Sequence, residues 1–278
     1  MIGKTPSPAK VSRAGDEGQD GHFPAPGAAT TMLAGSPDDK SAKLPEECAA
    51  AQLVAIGPHR LYLGDAYTIR PTLGWMDADI MDPPYVIRTS GGGSFRKHRP
   101  YLDLIKEEGL DQGFNHAIIN PLICGAAVVF LHNDQLPKLA PDIAGLFHRN
   151  ALCVWQKSTP MPVANKHYVP EIELYFHAWN RGYHPQGDLA DLKRVFTCRS
   201  RALKDYGHPT VKPDALMDKI LRNVAGSTVC DPFMGTGSTG TAAIRAGKVF
   251  TGIEHNPRHF ATAVARINAA WTARQEAA

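Results

Sequence analysis

The sequence has 278 residues, 43% of them hydrophobic, and a formal net charge of +3. This length and composition are sufficient for one sizeable hydrophobic core, and the small net charge confines any nucleic-acid surface to a local patch. The five cysteines form no CxxC pair, which argues against a zinc site or a disulfide framework and favours a reducing compartment.

The first fifty residues are rich in Gly, Pro, Ala, Ser and Asp and show no sustained hydrophobic period. Such a segment cannot bury enough apolar surface to offset its ordering entropy. We therefore predict a disordered arm over residues 1–50 and a folded domain over residues 51–278. The sequence contains neither a secretory signal nor an apolar run near the roughly 18 residues that span a membrane. We expect a cytoplasmic protein with no membrane partner and no bound metal.

Short apolar runs and stretches of helical period alternate along the rest of the chain. The predicted strands are Arg60–Leu63, Ala78–Met81, Ala126–Leu131, Leu152–Gln156, Ile172–His177, Thr228–Cys230 and Val249–Ile253. The predicted helices are Gln112–Ile123, Gln135–His148, Pro213–Val224, Ser238–Ala246 and Pro257–Ala273. Asp134 is a candidate cap for the second helix, and Pro213 and Pro257 suit first-turn positions. Strands separated by helices predict an α/β fold with a doubly wound, mostly parallel sheet of seven strands.

The strand at Ala78–Met81 ends in the tetrapeptide Asp82-Pro83-Pro84-Tyr85. The two prolines lack N–H groups, so the carbonyls of this turn face no competing donors. The Asp82 carboxylate and the Pro83 carbonyl together offer two acceptors for an amine, and Tyr85 offers a flat face on which a ring can stack. We predict that all four residues, Asp82, Pro83, Pro84 and Tyr85, form the catalytic motif.

Two basic segments are candidates for contact with nucleic-acid phosphates. One follows the tetrapeptide, and the other lies in residues 178–207, a polar and net basic stretch that interrupts the alternation and indicates a small loop-rich insertion for target recognition. The candidate contact residues are Arg88, Arg96, Lys97, Arg99, Arg181, Lys193, Arg194, Arg199 and Arg201. His132 has no spaced partner that would make it a base or a metal ligand, and we interpret it as part of a solvent-facing strand end.

Residues 228–239, with the sequence TVCDPFMGTGST, combine a strand, a tight glycine turn and the start of a helix. Glycines let a ligand approach the backbone, and a helix N-terminus offers free N–H groups. Glu254 ends the next strand, where a carboxylate can accept from both hydroxyls of a ribose. With Gly240 the turn also fits the GxGxxG dinucleotide pattern, but a dinucleotide fold starting there would lack most of its sheet. The missing strands must precede the turn, which predicts a circularly permuted sheet.

These motifs, in this order, resemble those of the beta-class amino-DNA methyltransferases, in which the catalytic motif precedes the cofactor motif. Asp82–Tyr85 resembles the catalytic tetrapeptide of that family, and Asp231–Gly237 resembles its cofactor loop. His208–Pro213 resembles the HPT-x-KP stretch that lies just before this loop. Leu63-Gly64-Asp65 resembles the upstream LxGD segment, and Trp155–Glu171, which includes Lys157, resembles the hairpin behind the target base.

The resemblance implies a Rossmann-like fold that binds S-adenosyl-L-methionine, with double-stranded DNA as the substrate. It further implies base flipping and direct in-line transfer of a methyl group to an exocyclic base amine. By the family pattern, Asp at position 82 favours adenine N6 over cytosine N4, for which Ser is commoner. The implied cofactor-binding residues are Asp65, Thr210, Lys212, Asp231, Phe233, Gly235, Thr236, Gly237, Ser238, Thr239 and Glu254.

The sequence leaves several alternatives open. Methylation of cytosine N4 uses the same chemistry. Enzymes that methylate a protein glutamine or an RNA amine usually have Asn first in the tetrapeptide and the glycine loop upstream, and this sequence has neither feature. A non-catalytic DNA-binding module would be expected to have a decayed pocket, whereas Asp82, Tyr85 and Glu254 are intact. Family members often dimerise, so a homodimer and a monomer both remain open.

Overall fold

The computed structural model of the protein describes residues 52–86, 112–159, 168–200 and 211–277. The predicted arm over residues 1–50 lies outside these ranges. So do six of the candidate site residues named above, namely Arg88, Arg96, Lys97, Arg99, Arg201 and Thr210. None of the helices in the four ranges combines the length and hydrophobicity needed to cross a membrane.

The apolar runs pair into one sheet, which has nine strands in the described part of the chain. In chain order the strands are β1 Gln52–Ile56, β2 His59–Leu63, β3 Met76–Met81, β4 Cys124–Leu131, β5 Arg149–Lys157, β6 Ile172–Trp179, β7 Val195–Cys198, β8 Thr228–Asp231 and β9 Val249–Glu254. Their spatial order is β1-β2-β9-β8-β3-β4-β6-β5-β7. All eight residues of β4 are buried, as expected for a strand covered on both faces of a doubly wound sheet.

Strand direction divides the sheet into two parts. The strands β2, β9, β8, β3 and β4 run parallel to one another. Beyond β4, strands β6 and β5 form an antiparallel hairpin, and β7 pairs parallel with β5 at the edge. At the other edge β1 pairs antiparallel with β2. The fold is therefore the mostly parallel α/β architecture that the sequence predicts.

Helices cover both faces of the sheet. They are α1 Ala66–Ile69, α2 Leu136–Leu146, α3 Asp214–Asn223, α4 Ser238–Arg245 and α5 Pro257–Glu276. Alternate residues of β4 point to opposite faces: Val128 and Phe130 pack in the core under α3, α4 and α5, whereas Val129 and Leu131 pack in the core under α1 and α2. The continuous apolar run of β4 follows from this two-sided burial.

The permuted order is visible in the pairing of β3 with β8. These strands lie side by side and parallel, with Ala78 opposite Val229 and Asp79 opposite Cys230. The turns after Met81 and Asp231, about 150 residues apart in sequence, therefore emerge at the same edge of the sheet. In open α/β sheets this carboxyl edge is where ligands bind.

The prediction of seven strands was wrong in number, because the two edge strands β1 and β7 add to the seven predicted ones. Strand β7 lies within the predicted insertion 178–207, so the described part of that stretch, residues 178–200, contains an edge strand as well as loop. Both strands are short and half-exposed. An edge strand is defined by its pairing more than by its own apolar pattern, and the sequence alone gives little sign of it.

The predicted helix at Gln112–Ile123 is absent, and this prediction was wrong. The segment has an isolated bridge from Gln112 to Val86 and a single 3₁₀ turn at His116–Ile118. The side chains of Asn115 and Asn120 accept hydrogen bonds from backbone N–H groups two residues ahead. Such local bonds compete with a helix, and Gly113 with φ of 78° breaks the helical backbone before them.

The prediction of Asp134 as a helix cap was also wrong. Gln135 is the residue just before α2, and it makes no side-chain cap bond to that helix. His132 caps the 3₁₀ turn that precedes α2, and its ring Nδ1 accepts from the Asp134 N–H at 3.3 Å. In return the Gln135 side chain accepts from the His132 N–H at 2.9 Å, which completes a capping box around the 3₁₀ turn Asn133–Gln135. The other predicted helices are present. Pro257 occupies the first turn of α5, and Pro213 is the cap residue just before α3.

Candidate active site

The carboxyl edge of the sheet opens into a cavity of about 350 Å³, between the turns that follow β3 and β8. This size lies in the range of small-molecule sites. The lining includes the predicted residues Asp65, Asp82, Pro84, Lys212, Asp231, Phe233, Gly235, Thr236, Ser238, Thr239 and Glu254. The fold thus brings the tetrapeptide and the glycine loop to one cleft.

Asp82 lies directly after β3, and a short set of contacts fixes its carboxylate. Its Oδ1 accepts a hydrogen bond from the Tyr85 hydroxyl at 2.9 Å. Its Oδ2 is 2.7 Å from the Lys212 ammonium. The Asp82 side chain remains 26% exposed, so the carboxylate is held from behind and open toward the cleft.

A buried glutamine holds the tetrapeptide itself. Gln135 Nε2 donates to the Pro84 carbonyl at 3.3 Å, and the side chain of Gln135 is also part of the capping box after β4. Pro84 has no N–H group with which to pair with a neighbouring strand. The bond from Gln135 to its carbonyl ties the turn to the end of β4. This role of Gln135 was not predicted from the sequence, since it depends on the lateral pairing of β3 with β4.

Lys212 lies between two carboxylates. Besides Asp82, its ammonium is 3.3 Å from Glu173 Oε2, and Glu173 Oε1 is 2.9 Å from the Lys157 ammonium. Lys157 and Glu173 come from the β5–β6 hairpin. From the sequence, Lys212 was predicted to bind the cofactor, and Glu171 was the acid named in the hairpin. The structure puts Lys212 against Asp82, and Glu173 is the hairpin acid that contacts both lysines.

The protonation of this cluster follows from burial and charge. Burial raises the pKa of Asp82, although the Lys212 ammonium opposes the shift. Burial and the Asp82 charge hold the pKa of Tyr85 well above its usual value, so Tyr85 keeps its proton and donates it. Burial would raise the pKa of Glu173, but Lys212 and Lys157 together lower it. Burial works against the charge of Lys212, yet Asp82 and Glu173 raise its pKa well above the usual value.

The glycine turn after β8 leaves room for a ligand at one glycine and packs tightly at the other. Gly235 has φ of 53°, and a Cβ added there would meet nothing closer than 4.0 Å. Gly237 has φ of 86°, and a Cβ there would lie 3.2 Å from Ala263 of α5. Gly235 is therefore the position at which a ligand can approach the backbone, whereas Gly237 is needed for contact with the helix behind it.

Asp231 anchors this turn from within. Its two oxygens accept from the Phe233 N–H at 2.9 Å and from the Thr239 hydroxyl at 2.5 Å. Burial raises the pKa of Asp231 to about 7, despite these bonds. Thr236 is held from the other side, because Arg266 donates to its carbonyl and its hydroxyl. The loop is thus fixed before any ligand binds.

Two further predicted cofactor residues have defined local bonds. Glu254 is 5% exposed, and its two oxygens accept from the N–H groups of Gly235 and Asn256 at 2.8 and 2.7 Å. Each oxygen keeps a second lone pair for a ligand hydroxyl. Asp65 caps the short helix α1 by accepting from the Thr68 N–H and hydroxyl.

A group of three aromatic rings borders the cavity, and of these only Phe233 was predicted from the sequence. The ring of Phe233 lies edge-on to Tyr67 and Phe114, with ring centroids 6.2 and 6.1 Å apart. All three residues line the cavity. Tyr67 also accepts a hydrogen bond from the Asn115 N–H, which fixes the segment that carries Phe114. Such a group provides apolar surface for a flat ring, beside the acceptors of the glycine loop.

The described basic residues of the 178–207 stretch lie at different positions along the strand direction of the sheet. Arg199 follows β7 at Cys198, which pairs with Lys157 at the edge that carries the cavity. Lys193 and Arg194 precede β7, beside the middle of β5. Arg181 follows β6 at Trp179, which pairs with the start of β4 at the opposite edge. The structure therefore brings Arg199 to the cavity side and leaves Arg181 on the far side.

The arrangement joins two functions in one cleft. One wall, made by the glycine loop and Glu254, can hold a ligand through backbone and carboxylate contacts. The other wall presents the Asp82 carboxylate, bonded to Tyr85, to a second ligand. Within the four described ranges, no cluster of three or more His, Cys, Asp or Glu side chains is arranged to hold a metal ion. The geometry suits positioning and charge stabilisation of two bound groups.

Comparisons with known proteins identify relatives of this chain. A family model described as DNA methylase, of the N6/N4 methyltransferases, matches residues 76–265. The Type II methyltransferase M2.DpnII of Streptococcus pneumoniae is 38% identical over 229 residues, which cover 70% of this chain and 83% of that protein. The DNA adenine methyltransferase YhdJ of Escherichia coli K12 is 25% identical over 234 residues, which cover 70% and 77%.

The fold also has a match among solved structures. The M1.HpyAVI complex with S-adenosylmethionine is similar with a TM-score of 0.56 and 25% sequence identity, and the match covers 75% of this chain and 98% of that one. The matched portion of this chain thus corresponds to nearly the whole of that protein.

Proposed function

Because this chain belongs to the N6/N4 family of DNA methylases, whose cofactor is S-adenosyl-L-methionine, we propose that it methylates the N6 amine of adenine in double-stranded DNA. The observation that carries the proposal is the placement of the Asp82 carboxylate, bonded to Tyr85, in the cleft that also contains the glycine loop and Glu254. A base amine and a methyl donor can therefore be held next to each other in this cleft.

The residues of the glycine-loop wall fit the cofactor. The open space at Gly235 admits a ligand next to the backbone, and Glu254 faces the same cavity with free lone pairs for ribose hydroxyls. The aromatic surface of Phe233 and Tyr67 suits the adenine ring, with Asp65 close to accept from its amine. When bound, the cofactor supplies an electrophilic methyl group on a sulfonium centre.

The tetrapeptide wall acts on the base. An exocyclic amine is a poor nucleophile, because its lone pair is delocalised into the ring. Hydrogen bonds from its two protons to the Asp82 carboxylate and the Pro83 carbonyl favour a pyramidal nitrogen with an available lone pair. The nitrogen loses one proton as it gains the methyl group, and the raised pKa of Asp82 suits it to accept that proton. Tyr85 provides the stacking face for a base that has been flipped out of the duplex.

The choice of adenine over cytosine is supported by two observations. The tetrapeptide begins with Asp, which the family pattern associates with adenine. The relative YhdJ is named a DNA adenine methyltransferase. Methylation of cytosine N4 is the second candidate, because the matching family model covers both base amines. The two activities differ only in the base that enters the cleft.

The test of this function is an analysis of nucleosides. The protein is incubated with S-adenosylmethionine labelled in the methyl group and with plasmid DNA free of N6-methyladenine, and the digested nucleosides are separated. We expect label in N6-methyladenine. Label in N4-methylcytosine instead would replace adenine by cytosine, and the absence of both products would refute the proposed function.

A variant of Asp82 tests the mechanism. Asp82→Ala should abolish methyl transfer while cofactor binding, measured by calorimetric titration, stays measurable, because the carboxylate acts on the base. The control is Asp134→Ala, which removes an exposed carboxylate outside the cleft and should leave both readouts unchanged. Equal loss of transfer and cofactor binding in Asp82→Ala would assign Asp82 to the cofactor pocket.

A further inference from the structure

A chain of four alternating charges links the β5–β6 hairpin to the catalytic carboxylate. It runs from Lys157 to Glu173, then to Lys212, and ends at Asp82, with contacts of 2.9, 3.3 and 2.7 Å. Lys212 is the most buried member, with a side chain 8% exposed. A cation buried this deeply must be compensated by nearby anions, and two carboxylates flank this one.

The two carboxylates bind Lys212 unequally. Asp82 Oδ2 makes the close contact, whereas Glu173 Oε2 is buried and makes no hydrogen bond to any group in the described part of the chain. Its contact with Lys212 is the longer ion pair of 3.3 Å. Glu173 therefore holds an unused acceptor next to an ammonium that is bonded elsewhere. A shift of the Lys212 ammonium by less than about 1 Å would complete a normal charge-assisted bond to Glu173.

The Lys212 contact weakens Asp82 as a proton acceptor. Asp82 Oδ1 accepts from Tyr85 and Oδ2 from Lys212, so each oxygen keeps one lone pair for a base amine. A cation in close contact with Oδ2 stabilises the charged carboxylate, which makes it less able to take the proton that the amine loses. The geometry points to Glu173 as a positioning residue that receives the Lys212 ammonium when Asp82 takes the amine of the target base. This inference rests on the proposed function.

Lys157 completes the arrangement. It contacts the other oxygen of Glu173 at 2.9 Å and thereby fixes the orientation of that carboxylate. It also balances part of the Glu173 charge, so that Lys212 is not drawn away from Asp82 in the absence of DNA. The hairpin thus sets how strongly Lys212 is shared between the two carboxylates, although neither Lys157 nor Glu173 lines the cavity.

Because Lys212 lies between the Asp82 and Glu173 carboxylates, two variants should shift the pKa of Asp82 in opposite directions. Glu173→Gln keeps the shape but removes the competing anion, so Lys212 stays on Asp82 and the pKa of Asp82 falls. Lys157→Gln leaves the Glu173 charge less balanced, so Lys212 moves toward Glu173 and the pKa of Asp82 rises. The control is Glu171→Gln, which changes a partly exposed acid two residues earlier in the chain.

The experiment uses the full chain and two readouts. The first is the titration of the Asp82 carboxyl by ¹³C NMR without DNA, with Asp82→Asn used to assign its signal. We expect a lower midpoint in Glu173→Gln, a higher one in Lys157→Gln, and no change in Glu171→Gln. Midpoints that stay unchanged in both test variants, or that move in the same direction, would overturn the inference. This readout is independent of methyl transfer.

The second readout is kcat with plasmid DNA and S-adenosylmethionine. Glu173→Gln should lower kcat by ten- to a hundredfold, on the order of the loss expected for a misplaced catalytic group, with cofactor and DNA dissociation constants within twofold of wild type. Glu173→Asp should restore part of the loss. A wild-type enzyme without activity would refute the proposed function together with this role. An active wild type matched by Glu173→Gln would refute the role of Glu173 alone.

Discussion

At the scale of single residues, the cleft contains two acids whose pKa values are raised by burial. For Asp82 the adjacent Lys212 limits the shift, and the carboxylate remains partly open to solvent. For Asp231 the hydrogen bonds from Thr239 and Phe233 offset the burial only in part, and its pKa rises to about 7. The first acid is arranged to act on a ligand, and the second is arranged to hold the glycine turn.

The raised pKa of Asp231 predicts a dependence of stability on pH. A carboxyl whose pKa is higher in the folded than in the unfolded protein stabilises the fold most at a pH below its ordinary pKa of 3.8. This contribution to folding stability is lost as the pH rises to about 7. Asp231→Asn removes this titration, and its amide can still bond to Phe233 and Thr239. We expect the Tm of the variant, relative to wild type, to rise between about pH 4 and about pH 7.

The measurement is a series of thermal melts across that pH window. Glu276→Gln, which changes an exposed acid at the end of α5, serves as the control and should give a constant difference from wild type. A difference that is equally constant for Asp231→Asn would show that Asp231 does not titrate in this range.

At the scale of elements, the packing of α4 against α5 and β9 depends on a glycine. A Cβ at Gly240 would lie 2.5 Å from Ile267 of α5 and 2.7 Å from Phe250 of β9. This close approach places the start of α4 under the cofactor loop. The third glycine of the GxGxxG pattern therefore serves helix packing, whereas Gly235 leaves open space beside the backbone.

We expect Gly240→Ala to lower the free energy of unfolding by about 1–3 kcal/mol, the usual cost of overpacking a core. Gly145→Ala provides the matched control, because Gly145 is an exposed helical glycine with nothing within 4 Å of an added Cβ. That control should instead gain up to about 1 kcal/mol from helix propensity. Urea denaturation measures both, and a stable Gly240→Ala would contradict the packing role.

The element that the sequence described least well is the edge of the sheet beyond β4. Val195–Cys198 pairs with β5, and Trp155 donates to the Cys198 carbonyl at 3.3 Å. The strand is identified by these partners and not by its own four residues. The same pairing carries Arg199 to the cavity side, which a reading of the 178–207 stretch as loop could not show.

At the scale of the whole molecule, the net charge of +3 makes the placement of each cation more important than the total. Arg199 lies at the carboxyl edge and Arg181 at the opposite edge. If DNA binds over the cavity, only the first can reach a phosphate. Each phosphate contact adds about 0.9 to the slope of log affinity against log salt concentration for duplex DNA.

We therefore expect Arg199→Gln to weaken duplex binding and to reduce this slope by roughly 1. Arg181→Gln should leave affinity and slope unchanged, although it removes the same charge. Fluorescence anisotropy over a series of salt concentrations distinguishes the two. Equal effects of both variants would argue against a binding face at the cavity.

The sequence by itself determined the α/β class, the permuted motif order and seven of the strands. Each of these follows from local signals, namely apolar runs, prolines and glycines at fixed spacing. It also singled out Asp82 and the glycine loop, because their residue types are unusual at strand ends.

Only the tertiary structure decided which charges meet. Lys212 and Gln135 reach the tetrapeptide from distant parts of the chain, and Glu173 reaches Lys212 from the hairpin. Arg181 and Arg199 are separated to opposite edges. The physical reason is that a side chain's partners depend on strand order and direction. Those are set by the packing of the whole sheet, whereas the local pattern of a segment is the same whichever neighbour it acquires.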